Sequence, residues 1–374
     1  AVDTGFIVFN DWTYPNFIAL LDDLGVASQP SEMSFSVKCE RSGLEYNGNN
    51  LNSLFAQRRN LLRPSFHRML RDIMRFNREA LELLEQESDD PSLGAFLARQ
   101  GYGQEMIERY LVPMGAAIWS ANPVSMYAFP ARFFLRFFRN HGLLSVNHRP
   151  TWRVIEGGSR CYVDKLTAPF AERVRLRTPV RTVRRLPTHV EVCTESGGRE
   201  RFDALFLACH SDQALALLAD PRPQEREVLG AIPYQANEAV LHTDASVLPK
   251  RRLAWASWNY HILPRDQGRV ALTYHMNRLQ GLKAPLEFCV TLNNSAAIDP
   301  ERVLKRIQYH HPVFTPSGVA AQARQRELNT DRTYYCGAYW RNGFHEDGVV
   351  SALNALRHFQ ENQSHAKLPL RRAS

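Results

Sequence analysis

The chain has 374 residues, 44% hydrophobic and 22% charged, enough to bury one large core or two ordinary ones. It contains no run of about 18 apolar residues, which excludes a helical membrane span within the sequence. Its net charge is +8, but no nucleic-acid reading motif accompanies that charge, so nucleic acid is not an expected partner.

Val2–Asn10 reads as a strand interrupted by Asp3-Thr4-Gly5, and Phe17, Leu20, Leu21 and Leu24 form one face of a helix stopped by Gly25. Met33, Phe35 and Val37 alternate with polar residues, as a strand does. A mainly helical stretch follows. Arg58, Arg59, Arg63, Arg68, Arg71, Arg75 and Arg78 interleave there with Phe66, Met69, Leu70, Ile73, Met74, Leu81 and Leu84. Asp89-Asp90-Pro91 is a break before another helix, and Gly101-Tyr102-Gly103 is a turn between helices. In 129–139, Phe133, Phe134, Phe137 and Phe138 alternate with Arg132, Arg136 and Arg139. Both basic stretches read first as core-facing helices with a solvated charged side. The same pattern also suits peripheral contact with an anionic membrane, and that reading stays open.

From residue 150 the pattern shortens. Val154-Ile155-Glu156-Gly157-Gly158-Ser159 leads into a helix carrying Tyr162, Val163, Leu166 and Phe170. Strands are expected at Val174–Leu176, Val180–Arg185, Val190–Cys193 and Phe202–Cys209, with a hairpin turn at Ser196-Gly197-Gly198-Arg199. Further strands are expected at Glu238–His242, Arg269–Tyr274 and Phe288–Leu292, and a helix at Pro300–Tyr309. The basic tail after Gln363 reads as disordered. Six cysteines are scattered without a CxxC pair, which suits free thiols in a reducing compartment and a cytoplasmic location.

The segment with most chemical content is Cys336-Gly337-Ala338-Tyr339-Trp340 followed by Gly343-Phe344-His345-Glu346-Asp347-Gly348-Val349. It is a strand-to-helix junction with glycines where backbone must come close to something. The helix end could hold a phosphate or reduced flavin, and Glu346 and Asp347 could equally be dipole-matching caps. His210 and His345 are acid–base candidates whose ordinary role would be structural. There is no HExxH, GxSxG elbow or Walker loop, and adjacent His310-His311 cannot chelate from one helix face, so no metal site is expected.

The run from Gly337 to Leu356 resembles the final FAD-contacting segment of the flavin-containing amine oxidase superfamily, which also holds phytoene-desaturase-like and protoporphyrinogen-oxidase-like enzymes. Four stretches resemble that family in the same order: Val2–Phe6, Glu156–Ser159, Thr178–Val183 and Phe202–His210 with the helix after it. Cys336–Trp340 and Ala254-Trp255-Ala256-Ser257-Trp258-Asn259-Tyr260 are similar to a bacterial subgroup of predicted NAD/FAD-binding, amine-oxidase-like proteins. The family's opening GxGxxG unit has no counterpart here; Gly101-Tyr102-Gly103 follows no strand and lacks the third glycine. The sequence therefore reads as beginning after that unit.

The resemblance implies an α/β fold: an incomplete Rossmann-like FAD domain (1–25, 150–225, 330–362) and a substrate domain of antiparallel sheet and helices (26–149, 226–329). It implies FAD contacts from Asp3, Thr4, Gly5, Phe6, Val180, Ala208, Gly337, Glu346, Asp347, Gly348 and Val349. Trp255, Trp258 and Tyr260 are the substrate-wall candidates, and equally candidates for ordinary core packing. The expected activity is hydride transfer to flavin from a small, apolar, lipid- or isoprenoid-like molecule. The alternatives are a remnant or binding protein unable to hold FAD, and a peripheral membrane-binding protein. No catalytic residue is assigned.

Overall fold

Period-2 apolar runs and 3.6-period stretches alternate along the chain, and most become the expected element. The computed structural model describes residues 1–85, 90–265, 267–330 and 332–366; Asp89 of the expected break and the tail 367–374 lie outside the described residues. The first elements are β1 (Phe9–Asn10), α1 (Pro15–Asp23), β2 (Ser28–Pro30), β3 (Phe35–Cys39) and β4 (Leu44–Asn47). Helices α2 (Leu51–Leu54), α3 (Pro64–Glu85), α4 (Leu93–Gln100), α5 (Gln104–Met106), α6 (Val112–Trp119) and α7 (Ala131–Asn140) follow. Next come β5 (Trp152–Ile155), α8 (Arg160–Thr167), β6 (Val180–Arg185), β7 (Val190–Thr194), β8 (Arg199–Phe202), β9 (Leu205–Leu207), α9 (Ser211–Leu217) and α10 (Pro223–Gly230). Then come β10 (Tyr234–His242), β11 (Trp258–Ile262), β12 (Leu272–His275), α11 (Met276–Leu279), β13 (Cys289–Leu292) and β14 (Val303–Pro312). The last are α12 (Pro316–Gln322), α13 (Gln325–Leu328), β15 (Thr333–Tyr335) and α14 (His345–Ala366).

These elements form two compact units, Ala1–Asp164 with Gln235–His311, and Lys165–Tyr234 with Pro312 onward. The first is built on a seven-stranded sheet in the order β14-β10-β13-β12-β11-β3-β4. β11 and β3 run parallel, while β10–β13, β13–β12, β12–β11 and β3–β4 are antiparallel. Its helices supply an aromatic core: α7 buries Phe134, Leu135, Phe137 and Phe138 and leaves Arg136 and Arg139 outside, as its pattern requires. The long helix α3 buries Phe66, Met69 and Phe76, although Met74 of the expected stripe is exposed.

The sheet also buries a polar chain. The Asp244 amide donates to His242 Nδ1 (3.1 Å), which puts the proton of a neutral ring on Nε2. That proton is donated to Thr291 (2.8 Å), which shares a hydrogen bond with Thr273 (2.8 Å), and Thr273 is bonded in turn to His261 Nε2 (3.1 Å). Burial keeps both rings neutral, holding His242 down at about 4 and His261 at about 3.

The second unit contains the antiparallel β6-β7-β8 sheet and the parallel pair β15-β9. The expected hairpin turn joins β7 to β8, with Gly197 at φ 89° and the Thr194 amide bonded to Gly198 O at 2.9 Å. One core holds Val183, Val190, Leu207, Leu229, Tyr335 and Trp340.

Five expectations need correction. Of Val2–Asn10 only Phe9–Asn10 joins a ladder, because the side chains of Asp3 and Thr4 bond elsewhere. Val174–Leu176 is not a strand, and Leu176 is exposed. Phe202–Cys209 divides between β8 and β9. Pro300–Tyr309 is not a helix: the Asp299 side chain caps a single 3-10 turn, Pro300–Arg302, and the chain then extends as β14. The final helix reaches Ala366, so residues 363–366, expected to be disordered, lie within it.

Candidate functional site

In the second unit, β9 and β15 run parallel with Leu205 opposite Thr333 and Leu207 opposite Tyr335. Ligands on open α/β folds sit outside the carboxyl ends of such strands. Ala208 is exposed at that end of β9. Gly337 follows β15; a side chain there would collide with the Tyr339 ring, so the close approach selects glycine although its backbone is extended. Its amide donates to Ser351 Oγ (2.8 Å), whose hydroxyl donates to Gly348 O (2.8 Å), fastening the strand end to the first turns of α14.

At the start of α14, Glu346 and Asp347 are both buried. Asp347 accepts the Phe344 amide at 2.9 Å and lies 3.6 Å from Arg341. Burial nevertheless outweighs these contacts and pushes its carboxyl up to about 6. Burial likewise pushes His345 down to about 4. Gly348 opens onto free space, with no atom within 4 Å of where a Cβ would stand, and Val349 beside it is partly buried. The buried Tyr339 hydroxyl and Trp340 Nε1 have no hydrogen-bond partner among the described residues. Val180, first residue of β6, packs on the core that contains Tyr339 and Trp340. His210 precedes α9 and stacks on Tyr234 with ring centroids 4.5 Å apart.

In the first unit, Asp3 is an anchor. Its carboxylate accepts the Ser159 amide (3.0 and 3.1 Å), the Ser159 hydroxyl (3.1 Å) and Gln280 Nε2 (3.2 Å). An anion therefore already sits before α8. Gly157 and Gly158 have φ of 80° and 96°, and a Cβ on Gly158 would lie 3.3 Å from the Asp3 carboxylate, which explains the paired glycines. Thr4 bonds the Tyr309 hydroxyl (2.9 Å), Gly5 is exposed beside Tyr309, and Phe6 packs edge-on to Phe17 at 5.2 Å.

Trp258 and Tyr260 share one face of β11, Trp258 edge-on to Tyr274 at 4.9 Å and Tyr260 buried. The Trp258 Nε1 is buried without a partner. Trp255 precedes the strand, and its indole N–H donates to Pro249 O (2.7 Å). Tyr260 also lines a cavity of about 190 Å³. That cavity had no signature in the sequence, because its lining comes from separate segments near residues 41, 108–127 and 260–271.

The profile of the flavin-containing amine oxidoreductases matches residues 1–273. The chain belongs to that family. Its fold is similar to cyclohexylamine oxidase from Brevibacterium oxydans, at 13% identity and TM-score 0.66, over 96% of this chain and 88% of that one. It is also similar to a CLA-producing fatty acid isomerase from P. acnes (13% identity, TM-score 0.63, 96% and 87% covered). A third similar structure is a reduced UDP-galactopyranose mutase (13% identity, TM-score 0.64, 97% and 86% covered). No curated protein matches the chain. An oxidase, an isomerase and a mutase on one fold mean that the fold does not choose the reaction.

Family membership implies FAD as cofactor. The C-terminal junction lies beyond the matched residues and is judged on its own geometry. The open position at Gly348, the amides of the α14 first turn and the unpartnered Tyr339 hydroxyl fit a flavin nucleotide. The buried carboxylates Glu346 and Asp347 leave room for the ribityl hydroxyls as donors better than for a bare phosphate.

Proposed function

We propose that the protein is an FAD-dependent oxidoreductase acting on a small, largely apolar molecule. The observation that carries this reading is the junction of β15 with α14, where strand end, open Gly348 and helix terminus converge in a member of a flavin family. FAD supplies an acceptor for a hydride taken from a substrate C–H bond. Gly337, Asp347 to Val349 and the Tyr339 hydroxyl would hold it on the second unit, with Val180 toward the adenine and Ala208 at the strand end. On the first unit, Asp3 and Thr4 fix the Gly5–Phe6 segment through Ser159 and Tyr309. Trp258 and Tyr260 offer an apolar wall for the substrate. The lipid- or isoprenoid-like class rests on the aromatic lining of this unit.

The purified protein should show the visible absorbance of an oxidised flavin, or acquire it on titration with FAD. Gly348→Leu should abolish that binding while leaving the helix intact or firmer, since glycine inside a helix costs about 1 kcal/mol relative to a good helix former. A colourless protein that FAD cannot reconstitute would favour the remnant or binding-protein alternative. FAD binding unaffected by Gly348→Leu would move the site away from α14.

A further inference from the structure

The cavity beside Tyr260 has a charge pattern that the flavin reading does not use. Its inner wall is apolar, with Val112, Ile262 and Ala271 all buried and Pro113 beside them. Around it stand three guanidinium groups, Arg41, Arg265 and Arg269, all exposed to solvent. Other arginines of this unit are paired with carboxylates, for example Arg278 with Glu32 at 3.2 Å and Arg306 with Glu238 at 3.0 Å. Arg41, Arg265 and Arg269 make no ion pair or hydrogen bond among the described residues. Glu108 is the single carboxylate in the described lining, so the guanidinium groups outnumber it three to one.

Three like charges around one recess repel one another unless an anion joins them, and arginine is the side chain best shaped to grip a carboxylate through two parallel N–H bonds. At about 30 Å³ per water the recess holds the volume of about six waters. That suits a short acyl chain and not a large cofactor. We infer that this cavity binds a small amphipathic carboxylate, its head on the three guanidinium groups and its apolar body against Val112 and Ile262. A protonated amine is disfavoured there by the same charges. The site lies wholly within the first unit, so the inference does not depend on the flavin reading.

The test compares hexanoate, hexanol and hexylamine, which share a tail and differ in head group, by calorimetric titration of the full chain at low and at moderate salt. Hexanoate should bind, with an affinity that falls as salt screens the exposed arginines. Hexanol and hexylamine should bind at least about tenfold more weakly, the worth of one charge-assisted hydrogen bond. The double variant Arg41→Gln/Arg269→Gln should lose about the same factor for hexanoate and keep the melting temperature of the parent, since both side chains are exposed. Equal binding of hexanoate and hexanol would overturn the inference, as would hexanoate binding that survives the double substitution. The comparison of heads on the unaltered protein reads out even if that variant misfolds. A colourless preparation that binds hexanoate would separate failure of the flavin reading from failure of this one.

Discussion

Two buried carboxylates of the second unit are shifted in opposite directions. Glu225 is wholly buried, and burial alone would raise its pKa. Hydrogen bonds from Arg185 (2.5 Å), Arg222 (2.8 Å) and the Tyr335 hydroxyl (2.8 Å) outweigh that and hold it at about 2. Its folded pKa is below the unfolded value of 4.5, so its contribution is present above that pH and is lost as pH falls through about 2. The shift corresponds to about 3 kcal/mol. Glu225→Gln should therefore remove roughly that much stability at neutral pH and flatten the loss of stability in acid, measured by urea unfolding at several pH values. An acid limb unchanged from the parent would place the linkage elsewhere. Asp347 behaves in reverse: its folded pKa of about 6 is above the ordinary 3.8, so its contribution is present in acid and lost as pH rises through about 6. Asp347→Asn keeps an acceptor for the Phe344 amide and removes the buried charge. It should raise stability at pH 7 by an amount on the order of 1–2 kcal/mol and erase the slope between those two pH values. A destabilised Asn variant at pH 7 would show that the charge is needed by the helix end and not merely tolerated.

At the level of elements, what was legible depended on whether local pattern and tertiary context agreed. α1 and α7 have one apolar face and one partner layer, so period and burial coincide. β7, β8 and their glycine turn form a local hairpin with little need of the rest of the chain. β14 misled because Asp299-Pro300-Glu301 is a genuine helix-start signal. The structure uses it for one 3-10 turn, and pairing with β10 at the edge of the sheet then decides the rest. Partly buried Ile307, Tyr309 and His311 alternate with exposed Gln308 and His310, but Lys305, on the same side of the strand, is exposed and interrupts the pattern. The candidate site divides in the same way. Gly337, Asp347 and Gly348 lie within one short segment and can be read together. The cavity arginines are separated by more than two hundred positions, and only the sheet brings the turn after β3 beside the loop after β11.

Over the whole molecule, each proposed ligand addresses backbone that can be followed separately. Binding to the native state alone adds RT ln(1 + [L]/Kd), about 2.7 kcal/mol at one hundred times Kd, and the slowing of amide exchange should be largest where the ligand excludes water. FAD should slow exchange in the first turns of α14, residues 344–351, where the Gly337 amide is already bonded to Ser351. Hexanoate should slow exchange in 108–113 and 260–271, within a unit whose sheet and helices form their own core. The two patterns should be additive when both ligands are present, because the cavity lining belongs to the first unit and α14 to the second. Protection of 344–351 by hexanoate alone would contradict separate sites. Protection of 260–271 by FAD alone would contradict separate sites in the same way, since the cavity lining would then respond to the flavin and not to the carboxylate.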